Sequence, residues 1–207
     1  MKVLLVNGSP HMKGSTYKAL ETVAESLNKN GVETTIFQIG SHPISGCLGC
    51  GYCRAHAGEC VGRDVVNEFT QLAANYDGYI FGTSVHYAAA TGAITAFMDR
   101  TFFSAGSKLA FKPAASVVVC RRGGASATFD QINKYFTINN MPIVSSNYWN
   151  SVHASTPELV EKDEEGLQTL SILGANMAWL LKCMEAGKNA GITHPTLPEK
   201  IATVFAK

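Results

Sequence analysis

The sequence lacks an excess of charge of either sign and lacks any long apolar run. Its 207 residues include 17 Lys and Arg against 16 Asp and Glu, which gives a net charge of +1. A balanced charge gives no electrostatic reason to expect nucleic acid or an anionic membrane surface as a partner. No stretch is long enough to span a bilayer, and the apolar run at residues 3–6 is too short for a signal peptide. We therefore expect a cytoplasmic protein whose partner is a small molecule or another protein.

Apolar runs and helical periodicities alternate along the chain. Residues 3–6 are continuously apolar and precede Asn7-Gly8, which is typical of a strand buried on both faces of a parallel sheet. Leu20, Val23 and Leu27 then repeat at helical spacing. The same patterns predict further strands near 32–39, 78–83, 114–120 and 142–148, and helices near 64–75, 92–103 and 126–139. Five such strands predict one α/β domain, a doubly wound sandwich of three layers with right-handed crossovers.

The last helix is predicted to begin at Ser155. The stretch Ser155-Thr156-Pro157-Glu158 fits a capping box with proline in the first turn. The apolar period continues, or restarts, as far as a stop at Gly187. Residues 188–207 carry turn residues without a strong period, so they are interpreted as a C-terminal tail.

A polar loop joins the first strand to the first helix. It reads Ser9-Pro10-His11-Met12-Lys13-Gly14-Ser15-Thr16. Such a loop brings backbone N–H groups and the positive end of a helix to one point, where an anion binds. A Walker A loop needs lysine after the glycine, whereas Lys13 precedes Gly14, so ATP and GTP are disfavoured. Gly8 and Gly14 are too far apart for a dinucleotide fingerprint, which disfavours NAD at this loop.

The hydroxyl groups of this loop indicate which anion it binds. Ser9, Ser15 and Thr16, together with the loop amides, suit a terminal phosphate that accepts many hydrogen bonds, such as that of FMN. The alternative interpretation is a simple turn in which Ser15 caps the helix.

The stretches Asn7-Gly8-Ser9-Pro10 and Gly14-Ser15-Thr16 give the chain a family resemblance. It resembles the flavodoxin-like NADPH-dependent FMN reductases. The resemblance implies a flavodoxin-like three-layer α/β sandwich around a five-stranded parallel sheet, with bound FMN. It also implies that the FMN phosphate is held by Ser9, His11, Lys13, Gly14, Ser15 and Thr16.

The loop from Ser9 to Thr16 is named the phosphate loop. Two later loops should meet it, because ligands of doubly wound sheets lie beyond the carboxyl ends of the strands. The third strand is followed by Ser84-Val85-His86-Tyr87, which resembles the family's loop beside the flavin ring. Val85-His86 departs from the family's usual Pro-Val/Thr-Tyr pattern. His86 or Tyr87 could pack on the flat ring, or could be a surface or interface residue.

The fourth strand is followed by Arg122-Gly123-Gly124, which resembles the family's second ring loop. Two glycines allow the backbone to approach the ring closely. Arg121 or Arg122 could stabilise the anionic reduced flavin, bind the phosphate of a nicotinamide dinucleotide, or face solvent. Trp149 and His153 follow the fifth predicted strand and could border the same pocket, or belong to the core or a loop.

A cysteine-rich loop, residues 46–61, is inserted after the second strand. It contains Cys47-x-x-Cys50-x-x-Cys53 and then Cys60, a spacing that suits ferredoxin-type [4Fe-4S] ligation better than zinc. The spacing also resembles the compact motif of iron-sulfur flavoproteins, a branch of the same family. The competing interpretation is free thiols or a transient dithiol. Asp99-Arg100, further along, is interpreted as a structural ion pair or interface element.

These patterns predict an oxidoreductase whose FMN accepts a hydride from NADH or NADPH and passes electrons to an unknown acceptor. FMN carries the chemistry, so no side chain is assigned as catalytic. The alternative is an electron carrier that holds FMN and a [4Fe-4S] cluster and exchanges electrons with a redox protein. A third class is a flavodoxin-like regulatory module with a sensory cysteine loop. The family resemblance further implies a homo-oligomer.

Overall fold

The computed structural model describes residues 1–199 and 201–203. Its strands are β1 (Lys2–Asn7), β2 (Glu33–Gln38), β3 (Gly78–His86), β4 (Ala89–Ala90), β5 (Ala114–Cys120) and β6 (Ser151–His153). Its helices are α1 (Ser15–Lys29), α2 (Tyr52–Ala55), α3 (Val65–Leu72), α4 (Gly92–Leu109), α5 (Ala125–Ile138), α6 (Pro157–Val160) and α7 (Glu164–Asn189). A 3-10 turn at Ala73–Asn75 prolongs α3.

Five strands form a parallel sheet in the order β2-β1-β3-β5-β6. The short strand β4 pairs antiparallel with the end of β3. This order places the topological switch point between β1 and β3, as in flavodoxin-like folds. The predicted α/β sandwich with five parallel strands is confirmed.

The core lies on both faces of this sheet, because successive side chains of β1 point to opposite sides. Val3 and Leu5 pack with apolar residues of α1 and α7. Leu4 and Val6 pack on the other face with residues of α3, α4 and α5. Burial on both faces explains why β1 reads as an unbroken apolar run.

The fifth parallel strand is not at residues 142–148, and that prediction is wrong. The segment makes a single isolated bridge, between Ile143 and Ala114, and the strand beside β5 is β6. The start of the segment is bonded to β5, because the Ala114 N–H donates to the Pro142 carbonyl and the Val144 N–H donates to the Ala114 carbonyl, both at 2.9 Å. Two polar contacts tie the following residues to α7. The Ser146 hydroxyl donates to the Thr169 carbonyl at 2.6 Å, and the Asn176 amide donates to the Ser145 carbonyl at 2.9 Å.

The predicted last helix is split in two. Thr156 is the N-cap of the short helix α6, and α7 starts anew after Asp163, whose carboxylate accepts from the Gly166 N–H at 3.0 Å. Helix α7 ends at Asn189, close to the predicted stop at Gly187. Of the predicted tail at 188–207, residues 200 and 204–207 lie outside the described residues. Within the described part of the chain, no helix combines the length and apolar character needed to cross a membrane.

Candidate functional site

The loop between β1 and α1 is fastened to the neighbouring strand at Gly8. The Gly8 N–H donates to the Gly82 carbonyl at 2.8 Å, and the Thr91 hydroxyl donates to the Gly8 carbonyl at 3.5 Å. A Cβ atom on Gly8 would lie 2.7 Å from the Gly82 oxygen and 2.8 Å from Cδ1 of Ile94. Any residue other than glycine at position 8 would therefore displace β3 or α4.

A buried amide network holds the first half of the same loop. Asn7 is fully buried, and its Nδ2 donates to Oε1 of Gln38 at 2.5 Å and to the His11 carbonyl at 3.3 Å. Its Oδ1 accepts from the Ser9 N–H at 3.1 Å, and Nε2 of Gln38 donates to the Ser9 carbonyl at 2.6 Å. Sequence reasoning missed both amides as supports. The signal was present for Asn7, a polar residue that directly ends an apolar strand.

The second half of the loop presents the start of α1. Gly14 is the N-cap, with no side-chain hydrogen bond to the helix, so the alternative in which Ser15 caps the helix is wrong. Ser15 and Thr16 instead lie in the first turn, and Thr16 is buried. His11 and Lys13 are exposed on the loop. The uncapped first turn carries N–H groups that a phosphate can bind.

The first predicted ring loop is the hairpin formed by β3 and β4. Its tip residues Tyr87 and Ala88 have positive φ values of 49° and 62°, and the Tyr87 side chain is fully exposed. The Ala90 N–H donates to Oε1 of Gln131 in α5 at 3.1 Å, which fixes the returning strand. Left-handed conformations cost non-glycine residues energy and are common at binding sites. Ser84 and Val85 are half-buried at the base of the hairpin.

The second predicted ring loop packs directly against the first. Gly124 has a φ of +88°, and a Cβ atom there would lie 2.6 Å from Cα of Ala88 and 2.9 Å from Cγ1 of Val85. A Cβ atom on Gly123 would meet open space, and Arg122 is exposed. The phosphate loop is thus bonded to β3, and the β3–β4 hairpin touches the loop after β5. All three lie at the carboxyl edge of the sheet.

Trp149 and His153 lie just before and within the edge strand β6, and His153 pairs with Cys120, which ends β5 just before the second ring loop. His153 ends β6, and its N–H donates to the Asp163 carboxylate at 2.7 Å. Both residues line a separate cavity of about 220 Å³ with Tyr148 and Asp163. A place at the border of the flavin pocket stays a prediction for both residues.

All four cysteines of the inserted loop line one cavity of about 150 Å³. Cys47 and Cys50 are exposed, whereas Cys53 and Cys60 are partly buried. Arg100 and Phe103 of α4 also line the cavity. Among the described residues, no three Cys, His, Asp or Glu side chains converge closely enough to hold a metal ion. The donor set suits an iron-sulfur cluster, but the loop does not bring the thiols together as a finished site.

Arg100, which is 3% exposed, supports one end of this cavity. It forms a bidentate ion pair with Asp64, at 2.6 Å and 2.9 Å, and its Nε donates to Sγ of Cys60 at 3.3 Å. Burial opposes the positive charge, but the hydrogen bonds to Asp64 and Cys60 raise the pKa of Arg100 above its usual value. The guanidinium therefore remains charged beside the cysteine sulfur.

The structural role predicted for Asp99-Arg100 holds, but the two residues are not paired with each other. Asp99 accepts a hydrogen bond from the Tyr135 hydroxyl at 2.5 Å. Burial and this contact raise the pKa of Tyr135, so the phenol stays protonated. Neighbours in a helix point in different directions, which is why Arg100 reaches Asp64 instead.

The cysteine cavity is separate from the phosphate loop and from the two predicted ring loops. The cavity lining includes no residue of the phosphate loop or of the two ring loops. Helix α4 joins them, since its N-cap Thr91 contacts Gly8 and its middle carries Arg100. Nine helical residues span about 13 Å along the helix axis.

Comparison with known proteins places the chain in a family. Residues 1–156 match the NADPH-dependent FMN reductase family. Two iron-sulfur flavoproteins of Methanocaldococcus jannaschii are similar: one is 28% identical, covering 89% of this chain and 100% of that protein, and the other is 30% identical, covering 82% and 91%. The structure of a flavodoxin from the domain Archaea matches with a TM-score of 0.60 at 14% identity, covering 88% of this chain and 99% of that one. Because the family match spans more than half of the sequence, the chain belongs to the NADPH-dependent FMN reductase family.

Proposed function

We propose that this protein is an FMN-dependent oxidoreductase that accepts a hydride from NADH or NADPH and passes electrons to an acceptor. The observation that carries the proposal is the tethered loop at the switch point between β1 and β3. There Gly8 is bonded to Gly82, and an uncapped helix start follows Gly14. Membership of the FMN reductase family supports a flavin oxidoreductase.

The phosphate of FMN would be held by the first turn of α1 and the loop before it. Backbone N–H groups and the hydroxyls of Ser15 and Thr16 supply donors, while the loop shape is fixed through Ser9. His11 and Lys13 are exposed at the rim, where a cation or a hydrogen-bond donor can reach a phosphate oxygen. Gly14 lets the chain enter the helix without a competing side-chain cap.

The flavin ring would lie between the two ring loops. Ser84, Val85, His86 and Tyr87 would form one wall, and Arg122, Gly123 and Gly124 the other. When bound, FMN supplies the ability to accept a hydride and release electrons, which no side chain here offers. The exposed Tyr87 can cover an aromatic face, and the exposed Arg122 can bind an anionic edge or a nicotinamide phosphate.

A second candidate is an electron carrier that holds FMN and a [4Fe-4S] cluster and serves a redox protein. The observation that favours it is the single cavity lined by Cys47, Cys50, Cys53 and Cys60, which would be the ligands. The relatives named iron-sulfur flavoproteins support this candidate. Leu48 and Phe103 are 79% and 62% exposed at the cavity, an apolar rim suited to a second copy of the chain in a homo-oligomer or to a partner protein.

Anaerobic stopped-flow experiments separate the two candidates. Protein reconstituted with FMN is mixed with NADH or NADPH, and flavin absorbance is followed. A reductase is reduced rapidly by at least one nicotinamide, whereas a carrier is reduced slowly by both. Iron and sulfide assays with the visible spectrum of protein purified without oxygen report the cluster. Failure to bind FMN would remove both candidates.

A further inference from the structure

Cys60 is the only one of the four loop cysteines whose sulfur accepts from a buried charged side chain among the described residues. Nε of Arg100 donates to its Sγ at 3.3 Å. The backbone of Cys60 is also clamped, because the Asn67 amide accepts from its N–H at 2.8 Å and donates to its carbonyl at 2.9 Å. Helices α3 and α4 thus fix both the main chain and the sulfur of this residue.

The other three cysteines are held far more loosely. Sγ of Cys47 accepts from the Gly49 N–H at 3.5 Å, which is a contact within the loop itself. Sγ of Cys53 lies 3.6 Å from the Phe103 carbonyl, and Cys50 is exposed. The loop is therefore organised at its Cys60 end and adaptable at the other.

Arg100 also connects the two ends of the loop. Its guanidinium donates to the Ser45 carbonyl at 3.4 Å and to the Gly62 carbonyl at 3.0 Å. A Cβ atom on Gly62 would clash with Nη2 of Arg100, so this close approach of the guanidinium depends on glycine. Holding both ends of a loop reduces the conformational entropy lost when its remaining residues become ordered.

We propose that Arg100 is a positioning residue of the cysteine site: it presents Cys60 as the pre-arranged ligand and tunes the reduction potential through its N–H···S hydrogen bond. The inference rests on the proposed cluster. Reduction adds negative charge to a cluster, and hydrogen bonds to sulfur and nearby positive charge stabilise the reduced form. Asp64 orients the guanidinium from the far side and leaves Nε directed at the sulfur.

The test is a redox titration of the reconstituted protein followed by EPR. Arg100→Gln removes the charge and the Nε donor, and Arg100→Lys keeps the charge. The matched control is Lys108→Gln on the same helix, since Nζ of Lys108 donates to the Thr70 carbonyl and not to a cysteine. We expect a negative shift of the midpoint potential in Arg100→Gln, a smaller one in Arg100→Lys, and none in the control. A fully loaded Arg100→Gln cluster at the wild-type potential would overturn the proposal.

A second readout works without any cluster. Amide hydrogen exchange of the metal-free protein is followed by peptide mass spectrometry at one pH. We expect the peptides that cover residues 45–47 and 60–62 to exchange several-fold faster in Arg100→Gln than in the wild type, because both ends of the loop lose their contact with the guanidinium. Unchanged exchange of peptides from the buried strand β5 shows that the fold is retained. Unchanged exchange at both ends of the loop would overturn the proposal, whereas a wild type that assembles no cluster counts against the proposed cluster only.

Discussion

The phosphate loop and the cysteine loop both follow strands at the carboxyl edge of the sheet, yet they are built differently. The phosphate loop is fixed by the protein's own hydrogen bonds, through Gly8, the buried amide of Asn7 and the partly buried amide of Gln38. The cysteine loop is fixed mainly at Cys60, while Cys47 and Cys50 are exposed. The first is held in shape without a ligand, which suits the phosphate site that we propose, whereas the second would be completed by what it binds.

The two loops differ because the connections that contain them differ in length. The phosphate loop turns from β1 into α1 within a few residues, so each hydrogen bond restricts a short segment. The cysteine loop belongs to a much longer connection between β2 and α3, interrupted only by the four-residue helix α2. Ordering a longer connection costs more conformational entropy, and metal binding commonly supplies the compensating free energy.

Gly8→Ala should have the largest effect, because it places a new side chain against the backbone of β3 where the phosphate loop is fastened. The new Cβ would lie 2.7 Å from the Gly82 carbonyl oxygen. We expect a cost of about 3 kcal/mol, or on the order of 100-fold weaker FMN binding by fluorescence titration. Gly92→Ala is the matched control, since a Cβ there meets nothing within 4 Å. Equal FMN affinity in both variants would contradict the assigned role of Gly8.

Asn7→Ala should have the next largest effect. It leaves the Gln38 amide and the Ser9 N–H without their buried partner. An unsatisfied buried group costs about 1–3 kcal/mol, so we expect roughly tenfold or more weaker FMN binding by the same titration. Asn28→Ala is the control, because the side chain of Asn28 accepts a single, exposed hydrogen bond among the described residues, from the Thr34 hydroxyl. An Asn7 variant with wild-type affinity would show that the network does not support the phosphate loop.

Gly124→Ala should weaken FMN binding less than the two changes above, and it tests the contact between the two ring loops. Its φ of +88° and the 2.6 Å approach to Cα of Ala88 both disfavour a side chain. We expect FMN binding weakened by about 1–2 kcal/mol, which calorimetric titration can resolve. Gly31→Ala is the matched control and should leave the affinity near that of the wild type, since Gly31 has a similar φ of +79° but a Cβ there meets nothing within 4 Å. The reverse order would contradict the packing of the two ring loops.

Cys120→Ala should have the smallest effect, which is a change in how the free energy of unfolding depends on pH. Cys120 is a buried thiol in β5, unlike the four cysteines of the inserted loop. Burial, with a contribution from Asp163, raises the pKa of the Cys120 thiol above its ordinary value. The folded state therefore keeps a proton that the unfolded state loses, so stability falls as pH rises through about 9. Urea titrations should show a steeper loss of unfolding free energy between about pH 8 and pH 10 in the wild type than in Cys120→Ala. Parallel slopes would contradict the raised pKa.

Features that depend on a local residue pattern could be predicted from the sequence. The apolar run of β1 and the β-branched residues of β5 placed two central strands, and the loop after β1 was recognised from its own residues. The strand near 142–148 was wrong because only its first residues are bonded to β5, while the residues that follow contact α7. Two of the contacts that support the sites join residues distant in sequence: Asn7 with Gln38, and Arg100 with Asp64. No local spacing in the sequence could reveal these pairs.

The most direct test of the central claim compares FMN with riboflavin, which lacks the phosphate. Calorimetric titration of the wild-type protein should give one FMN bound per chain, and riboflavin should bind far more weakly because it cannot reach the amides at the start of α1. Equal affinity for the two flavins, or no binding of FMN, would contradict the proposed role of the loop from Ser9 to Thr16.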